Sequence, residues 1–166
     1  DAGETALPGG RFIVGNSLRA ETTRDDGRVL LRGLPAGPPV EIETQLASLP
    51  TFNLRPTRPG DQLRLRPGEV RSLAIPLRPT GSIEARILLV AGDARTPRSG
   101  VPVTLRGASG NPVAHGVTDF EGYVLFDGLP LGLFHVEAAG QSSPDLSLSH
   151  TEPDQQATIF VPPATT

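Results

Sequence analysis

The side chains best suited to metal or acid–base chemistry lie in the second half of this sequence. The chain has three histidines, His115, His135 and His150. His135 and Glu137 are two residues apart, and on a β-strand this spacing places both side chains on the same face. A metal site there would need further ligands, for which the candidates are Asp119, Glu121 and His150. No helical H-x-x-E or H-E-x-x-H spacing accompanies the pair, so exposed polar strand positions are expected and no metal site is predicted.

Nucleophilic and phosphate-binding chemistry have no motif in the sequence. Serine, histidine and aspartate all occur, but no G-x-S-x-G elbow presents a serine as a nucleophile. The stretch RGASGNP at 106–112 follows a predicted strand and opens no helix, so it predicts a hairpin and not a phosphate cradle. We therefore expect no catalytic activity, no cofactor and no small-molecule substrate.

Composition excludes several classes of protein. All 15 basic residues are arginine, the net charge is −3, and no basic cluster exists, which argues against nucleic-acid binding. The chain has no cysteine, so disulfides, thiol catalysis and thiolate metal sites are excluded. Gly and Pro make up 37 of the 166 residues beside an ordinary apolar fraction of 37%, which predicts many turns between short strands. Arginine without lysine, with abundant Ala, Gly and Pro, indicates a GC-rich bacterial genome.

Apolar and polar residues alternate in several stretches, as they do in strands with one buried face. This pattern predicts strands in SIEARILLV (82–90), VPVTL (101–105), RSLAIPL (71–77) and ATIFV (157–161). Turn sequences such as AGD, ASGN and DFEG separate them. The prediction is an all-β protein whose second half, from about Gly81, holds roughly seven short strands, the number of a Greek-key sandwich.

One motif occurs twice. Residues 23–37 and 118–132, displaced by 95 positions, agree at eight of 15 positions. Gly27 and Gly122 follow acidic residues, as expected at the left-handed position of a hairpin turn. Val29 and Leu31, and Val124 and Phe126 in the second copy, should then lie on the buried face of a strand. The signature is completed by residues with turn or packing positions, namely Gly33, Leu34, Gly128 and Leu129. None is a nucleophile or a base, so the motif predicts a fold and not an active site.

The second copy, TDFEGYVLFDGLPLG followed by F-x-V, resembles the signature of transthyretin-like, carboxypeptidase-regulatory-like β-sandwich modules. GVPVTL at 100–105 is similar to the G-V-x-V strand of such modules. The resemblance covers residues 81–161, and residues 7–77 more loosely. It implies two tandem Greek-key sandwiches (transthyretin-like or Ig-like), 1–79 and 80–166, of which the first lacks its N-terminal strand. The short link at RPTGS (78–82), with its proline, implies a semi-rigid pair.

The order of motifs along the chain is also similar to that of the paired C-terminal domains of bacterial outer-membrane pilus ushers. DDGRVLLRGLP, SLP, RPGEV and GYVLFDGL occur in the corresponding order. This resemblance implies a non-enzymatic periplasmic module at the outer membrane that receives chaperone–pilin subunit complexes. TDFEG is closer to the generic module, so the alternative is a structural spacer or repeat module of a surface adhesin or stalk protein.

Arg64 and Arg66 are the candidate partner-docking residues. They are two residues apart on a predicted strand and therefore share a face. A solvated face is the other interpretation. Docking fits a sandwich whose exposed edge strands recognise another chain through backbone hydrogen bonds.

The N-terminal DAGE (1–4) resembles the end of an EF-hand-like calcium loop, in which Asp1 would hold position 9 and Glu4 position 12. The other ligands of such a loop would lie upstream, so this chain alone would not bind the ion properly. An ordinary acidic turn is the alternative.

Overall fold

The structure, a computed structural model, describes residues 6–14, 20–49, 53–58 and 60–163. Within them the chain is almost all β, and a single turn of 3-10 helix spans Leu46–Ser48. The chain divides into two compact units, Asp1–Arg78 and Pro79–Thr166. The strands are β1 Arg11–Val14, β2 Ala20–Thr22, β3 Pro39–Thr44, β4 Leu54–Pro56, β5 Asp61–Arg64, β6 Leu77–Ala91, β7 Ala94–Pro97, β8 Pro102–Gly107, β9 Pro112–Val117, β10 Tyr123–Pro130, β11 Gly132–Ala138, β12 Gln141–Ser142, β13 Leu146–Leu148 and β14 Asp154–Val161.

The first unit is built on a four-stranded antiparallel sheet in the order β2-β1-β3-β5. On β3, Val40 and Ile42 point to the inner face while Glu41 between them is exposed. Val40 and Ile42 are the two fully buried apolar side chains among the described residues of this unit. The strand β4 pairs with β6, which begins in this unit.

Two predicted strands of the first unit join no sheet. Residues 28–32 and 69–76 belong to no secondary-structure element, although side chains alternate between exposed and half-buried at 28–32 and at 72–76. The strand predictions for 29–31 and for RSLAIPL (71–77) are therefore wrong except at Leu77, the first residue of β6. The alternating pattern indicated which side chains are shielded from solvent. A strand, however, also needs a neighbouring strand whose backbone forms hydrogen bonds with its N–H and C=O groups. No described strand pairs with either segment.

The second unit consists of two sheets. In one, β6 lies between β10 and β14, and β7 also pairs with β6. The strand β10 is antiparallel to β6, whereas β14 is parallel to it. The other sheet has the order β12-β11-β8-β9, with β13 also paired to β11. Nine strands thus replace the roughly seven predicted, because short pieces such as β12 and β13 carry too few residues to show a periodic pattern.

Alternate side chains of both sheets of this unit form one apolar core. Ile83, Ala85 and Ile87 of β6 are fully buried, as their alternation predicts. They pack with inward residues of β8, β10, β11, β13 and β14. The structure is all-β, as the sequence predicts. In the described part of the chain, no helix has the length and apolar character needed to cross a membrane.

Candidate functional site

The repeated motif is organised around a buried threonine. In the second unit, Thr118 Oγ1 accepts a hydrogen bond from the Val101 N–H at 3.0 Å and donates one to Arg98 O at 2.6 Å. The Thr118 N–H donates to Val101 O at 3.1 Å, and the Gly100 N–H donates to Thr118 O at 2.9 Å. One residue therefore ties the end of β9 to the segment that leads into β8.

Thr23 repeats this network in the first unit. Its Oγ1 accepts from the Gly10 N–H at 2.9 Å and donates to Leu7 O at 2.8 Å. Its N–H donates to Gly10 O at 2.8 Å, and the Gly9 N–H donates to Thr23 O at 3.1 Å. The sequence repeat aligns the two threonines, but reasoning from the sequence did not assign this role to them. The available signal was an identical threonine directly before both turns.

The turn glycines take the left-handed conformation that the sequence predicts. Gly27 has φ +72° and Gly122 has φ +80°. Each closes its turn by donating its N–H to the residue three positions earlier, Arg24 O at 2.8 Å and Asp119 O at 3.1 Å. A side chain is also excluded by space, because a Cβ at Gly122 would lie 2.7 Å from Ile87 O.

The other signature residues serve turns and packing. Gly33 and Gly128 have φ +71° and +63°. In the second unit the apolar members are buried, whereas in the first unit Leu34 is half-buried. The buried members are Val124, Phe126 and Leu129.

The structure does not assemble a metal site around His135 and Glu137. Glu137 Oε2 is bound by Arg106 Nε at 2.5 Å, across the β8–β11 pair. His115 Nδ1 lies 3.2 Å from Thr104 Oγ1, and His150 is exposed. Nowhere in the described ranges do three His, Asp or Glu side chains come together closely enough to hold a metal ion. The candidate calcium residues of DAGE (1–4) lie outside the described residues.

Arg64 and Arg66 are both exposed, with the half-buried Leu65 between them. Arg64 ends β5, an edge strand of the first sheet, and Arg66 follows just beyond it. The Arg66 N–H donates to Glu69 Oε2 at 2.7 Å, and Arg71 pairs with the same carboxylate at 2.6 Å. These two interactions hold the pKa of Glu69 below its ordinary value of 4.5. The docking role of the two arginines stays a prediction.

A groove of about 960 Å³ lies within the first unit. One wall is the sheet, which contributes Phe12, Ile42 and Leu63. The other walls are residues 27–34 and 68–75, which include the unpaired segment 28–32 and all of the segment 69–76 except Pro76. The lining combines apolar side chains with charged ones such as Arg28, Arg32 and Glu69. Nothing in the sequence pattern had predicted an open space at this place.

Comparison with known proteins gives matches among solved structures. No family model matches the sequence, and no curated protein matches it. A minor pilin of Streptococcus agalactiae is 16% identical with a TM-score of 0.45, over 98% of this chain and 86% of that one. The Bacillus anthracis TIE protein is 20% identical (TM-score 0.42), and the major pilin subunit of Bacillus cereus is 15% identical (TM-score 0.42). These two likenesses cover 97% and 77% of this chain but only 31% and 39% of the respective proteins.

Two of these three proteins are pilins, and none is named an usher. At such identities and TM-scores the likeness carries no argument about activity or partner. The class that the structure itself defines is an all-β protein with a two-sheet sandwich in its second unit.

Proposed function

We propose that this chain is a pair of structural, non-enzymatic β-sandwich modules of a bacterial surface protein, and that its second unit carries tension along the chain. The observation that supports this role most directly is the pairing of β6 with β14. These are the first and last strands of the second unit, and they lie side by side and parallel. Their ladder runs over eight residue pairs, from Ser82 opposite Asp154 to Leu89 opposite Val161.

Tension on the chain enters this unit at the start of β6 and leaves at the end of β14. In a parallel pair these two points lie at opposite ends of the ladder. Pulling therefore slides one strand along the other and loads all hydrogen bonds of the ladder together. An antiparallel hairpin pulled from its open end would instead lose its hydrogen bonds one after another. The buried Ile87 and Ile159, which face each other in this register, add packing that must also be broken.

The repeat supports the structural part of the proposal. The residues shared by the two units make turns, equivalent side-chain hydrogen bonds and apolar contacts. Repetition of such a framework is typical of modules strung along a longer protein. A fold of this kind hosts many functions, so the role rests on the strand arrangement and not on the fold class alone.

Single-molecule pulling tests the proposal. The chain has no cysteine, so engineered cysteines are unique handles. Pro79→Cys with Pro163→Cys pulls β6 and β14 in shear. Pro79→Cys with Pro130→Cys is the matched control, because Pro130 pairs with Thr80 and this geometry opens the β6–β10 pair from one end. We expect the second unit to resist several-fold more force in the shear geometry. Equal unfolding forces in the two pulling geometries would contradict the mechanical role.

A second candidate is the receipt of chaperone–pilin subunit complexes in an usher-like assembly at the outer membrane. The observation that favours it is the pair of exposed arginines at the edge strand β5, where a partner chain can dock. Binding would be tested by biosensor with complexes from the source bacterium at two ionic strengths. Arg64→Glu with Arg66→Glu should slow association, since rim charges act mainly on the on-rate.

Arg24→Glu with Arg32→Glu is the charge-matched control, because both side chains are exposed in the same unit. If the variant with Arg64→Glu and Arg66→Glu binds as fast as the control variant, Arg64 and Arg66 are excluded as docking residues. Failure to bind any complex would exclude this candidate and leave the mechanical role untouched.

A further inference from the structure

The two units differ by one strand. In the second unit, β6 lies between β10 and β14, antiparallel to the first and parallel to the second. Residues 28–32 of the first unit correspond to the start of β10 in the repeat. Residues 69–76 come last in the first unit, as β14 does in the second. The two strands that flank β6 thus have counterparts in the first unit, and both counterparts are in no sheet.

Contacts at the turn glycines show the same difference. The Ile87 N–H of β6 donates to Gly122 O at 2.8 Å, and Ile87 O is the atom nearest to a Cβ built on Gly122. At Gly27 the nearest atoms belong to Leu7 and Ala6 instead. Among the described residues, no counterpart of Ile87 reaches Gly27.

Side-chain burial agrees with this comparison. Val124 and Phe126 of β10 are buried in the core that contains the inward side chains of β6. Their counterparts Val29 and Leu31 are only half-buried and line the groove. The groove therefore lies where the first unit would hold its own equivalent of β6.

We propose that this groove takes one extended β-strand of the same polypeptide, the segment immediately preceding Asp1. The strand lies antiparallel to residues 28–32 and parallel to residues 69–76. It presents apolar side chains at alternate positions, as Ile83, Ala85 and Ile87 do in β6. This assignment is independent of the mechanical role proposed for the second unit.

The hydrogen bonds of the two threonines set the position of this strand in the sequence. Leu7 O and Arg98 O accept equivalent hydrogen bonds from Thr23 and Thr118. Leu7 therefore corresponds to Arg98. With the same offset, the counterpart of Ala91, the last residue of β6, is the position directly before Asp1. We assign the strand to the same polypeptide because β6, its counterpart in the second unit, also follows directly on the chain segment before it, residues 69–76 of the first unit.

The experiment adds the strand to the complete chain. A copy of residues 80–91 is fused directly before Asp1 and compared with the unmodified chain. The matched control carries the same copy with Ile83 and Glu84 exchanged and with Ala85 and Arg86 exchanged. That exchange keeps the composition but turns charged side chains into the groove. Amide hydrogen exchange is measured at residues 28–32 and 69–75, with β8 and β11 reporting that the second unit is folded.

We expect the added strand to slow exchange of both segments by ~10-fold or more and to raise the unfolding midpoint of the first unit, because an element bound only by the native state stabilises it. The control should do neither. Slow exchange of both segments in the unmodified monomer, or equal protection by the control, would overturn the proposal. Protection confined to a dimer, detected by sedimentation, would assign the strand to a second copy and overturn the proposed source.

Discussion

Gly122 and Gly110 have almost the same backbone conformation, with φ +80° and +81°, but different surroundings. A Cβ at Gly122 would meet Ile87 O at 2.7 Å and Arg98 N at 3.1 Å, whereas nothing lies within 4 Å of one at Gly110. Both alanine substitutions strain the backbone, but only Gly122→Ala also forces atoms apart. We expect it to cost at least ~1 kcal/mol more than Gly110→Ala in urea unfolding. Equal costs would show that the close approach to β6 does not constrain this turn.

Thr118 is a second residue whose contribution to stability can be predicted from its contacts. Thr118→Val keeps the shape but leaves the Val101 N–H and Arg98 O, which are partly buried, without their partner. The expected loss of stability is about 1–2 kcal/mol, because groups partly shielded from water are costly when they lose their hydrogen bond. Thr118→Ser keeps the hydroxyl and should retain most of the stability. A valine variant as stable as the serine variant would contradict the role of the network.

The stability of the first unit should depend on pH through the carboxylate of Glu69. Its pKa is lowered in the folded chain by the Arg66 amide hydrogen bond and by Arg71. A carboxylate with a lowered folded pKa stabilises the fold above its ordinary value of 4.5, and this contribution is lost as pH falls below that value. Glu69→Gln should therefore lower the unfolding temperature at pH 7, and the difference from the unmodified chain should shrink as the pH is lowered below 4.5. A difference in unfolding temperature that stays constant as the pH falls would point to packing instead.

At the scale of the element, β10 shows how an alternating pattern sets a register. Phe126 is 6% exposed and its neighbour Leu125 is 62% exposed. Phe126→Ala should cost about 3–5 kcal/mol by emptying a core position. Leu125→Ala, one residue away on the outer face, should stay within about 0.5 kcal/mol. Comparable losses from the two variants, measured by chemical denaturation, would mean that the strand is shifted by one residue.

For the whole molecule, burial is unequal between the two units. Sixteen apolar side chains form the core of the second unit, whereas the described residues of the first unit include two that are fully buried. Since burial of apolar surface is the main stabilising contribution, we expect the first unit to unfold at lower denaturant concentration. Hydrogen exchange under increasing urea would show this order. One coincident transition for both units would contradict it.

Local features of the fold followed from the sequence alone. Positive φ at Gly27 and Gly122 follows from turn chemistry, because only glycine adopts that conformation at low cost. Burial of Ile83, Ala85 and Ile87 follows from their alternation, because successive side chains of a strand point to opposite faces. Both rules depend on neighbours within a few residues, which the sequence displays directly.

Pairing between distant segments was decided by the tertiary structure. RSLAIPL alternates as clearly as SIEARILLV, yet only the second lies fully within a sheet. Thr23 and Thr118 are visible as a repeated residue, but their hydrogen-bond partners lie 13 to 20 residues away. Arg106 forms an ion pair with Glu137 of the neighbouring strand, and no sequence pattern connects these two residues. A strand's buried face is a property of its own side chains, whereas its hydrogen-bond partners are other segments, which only the folded chain brings beside it.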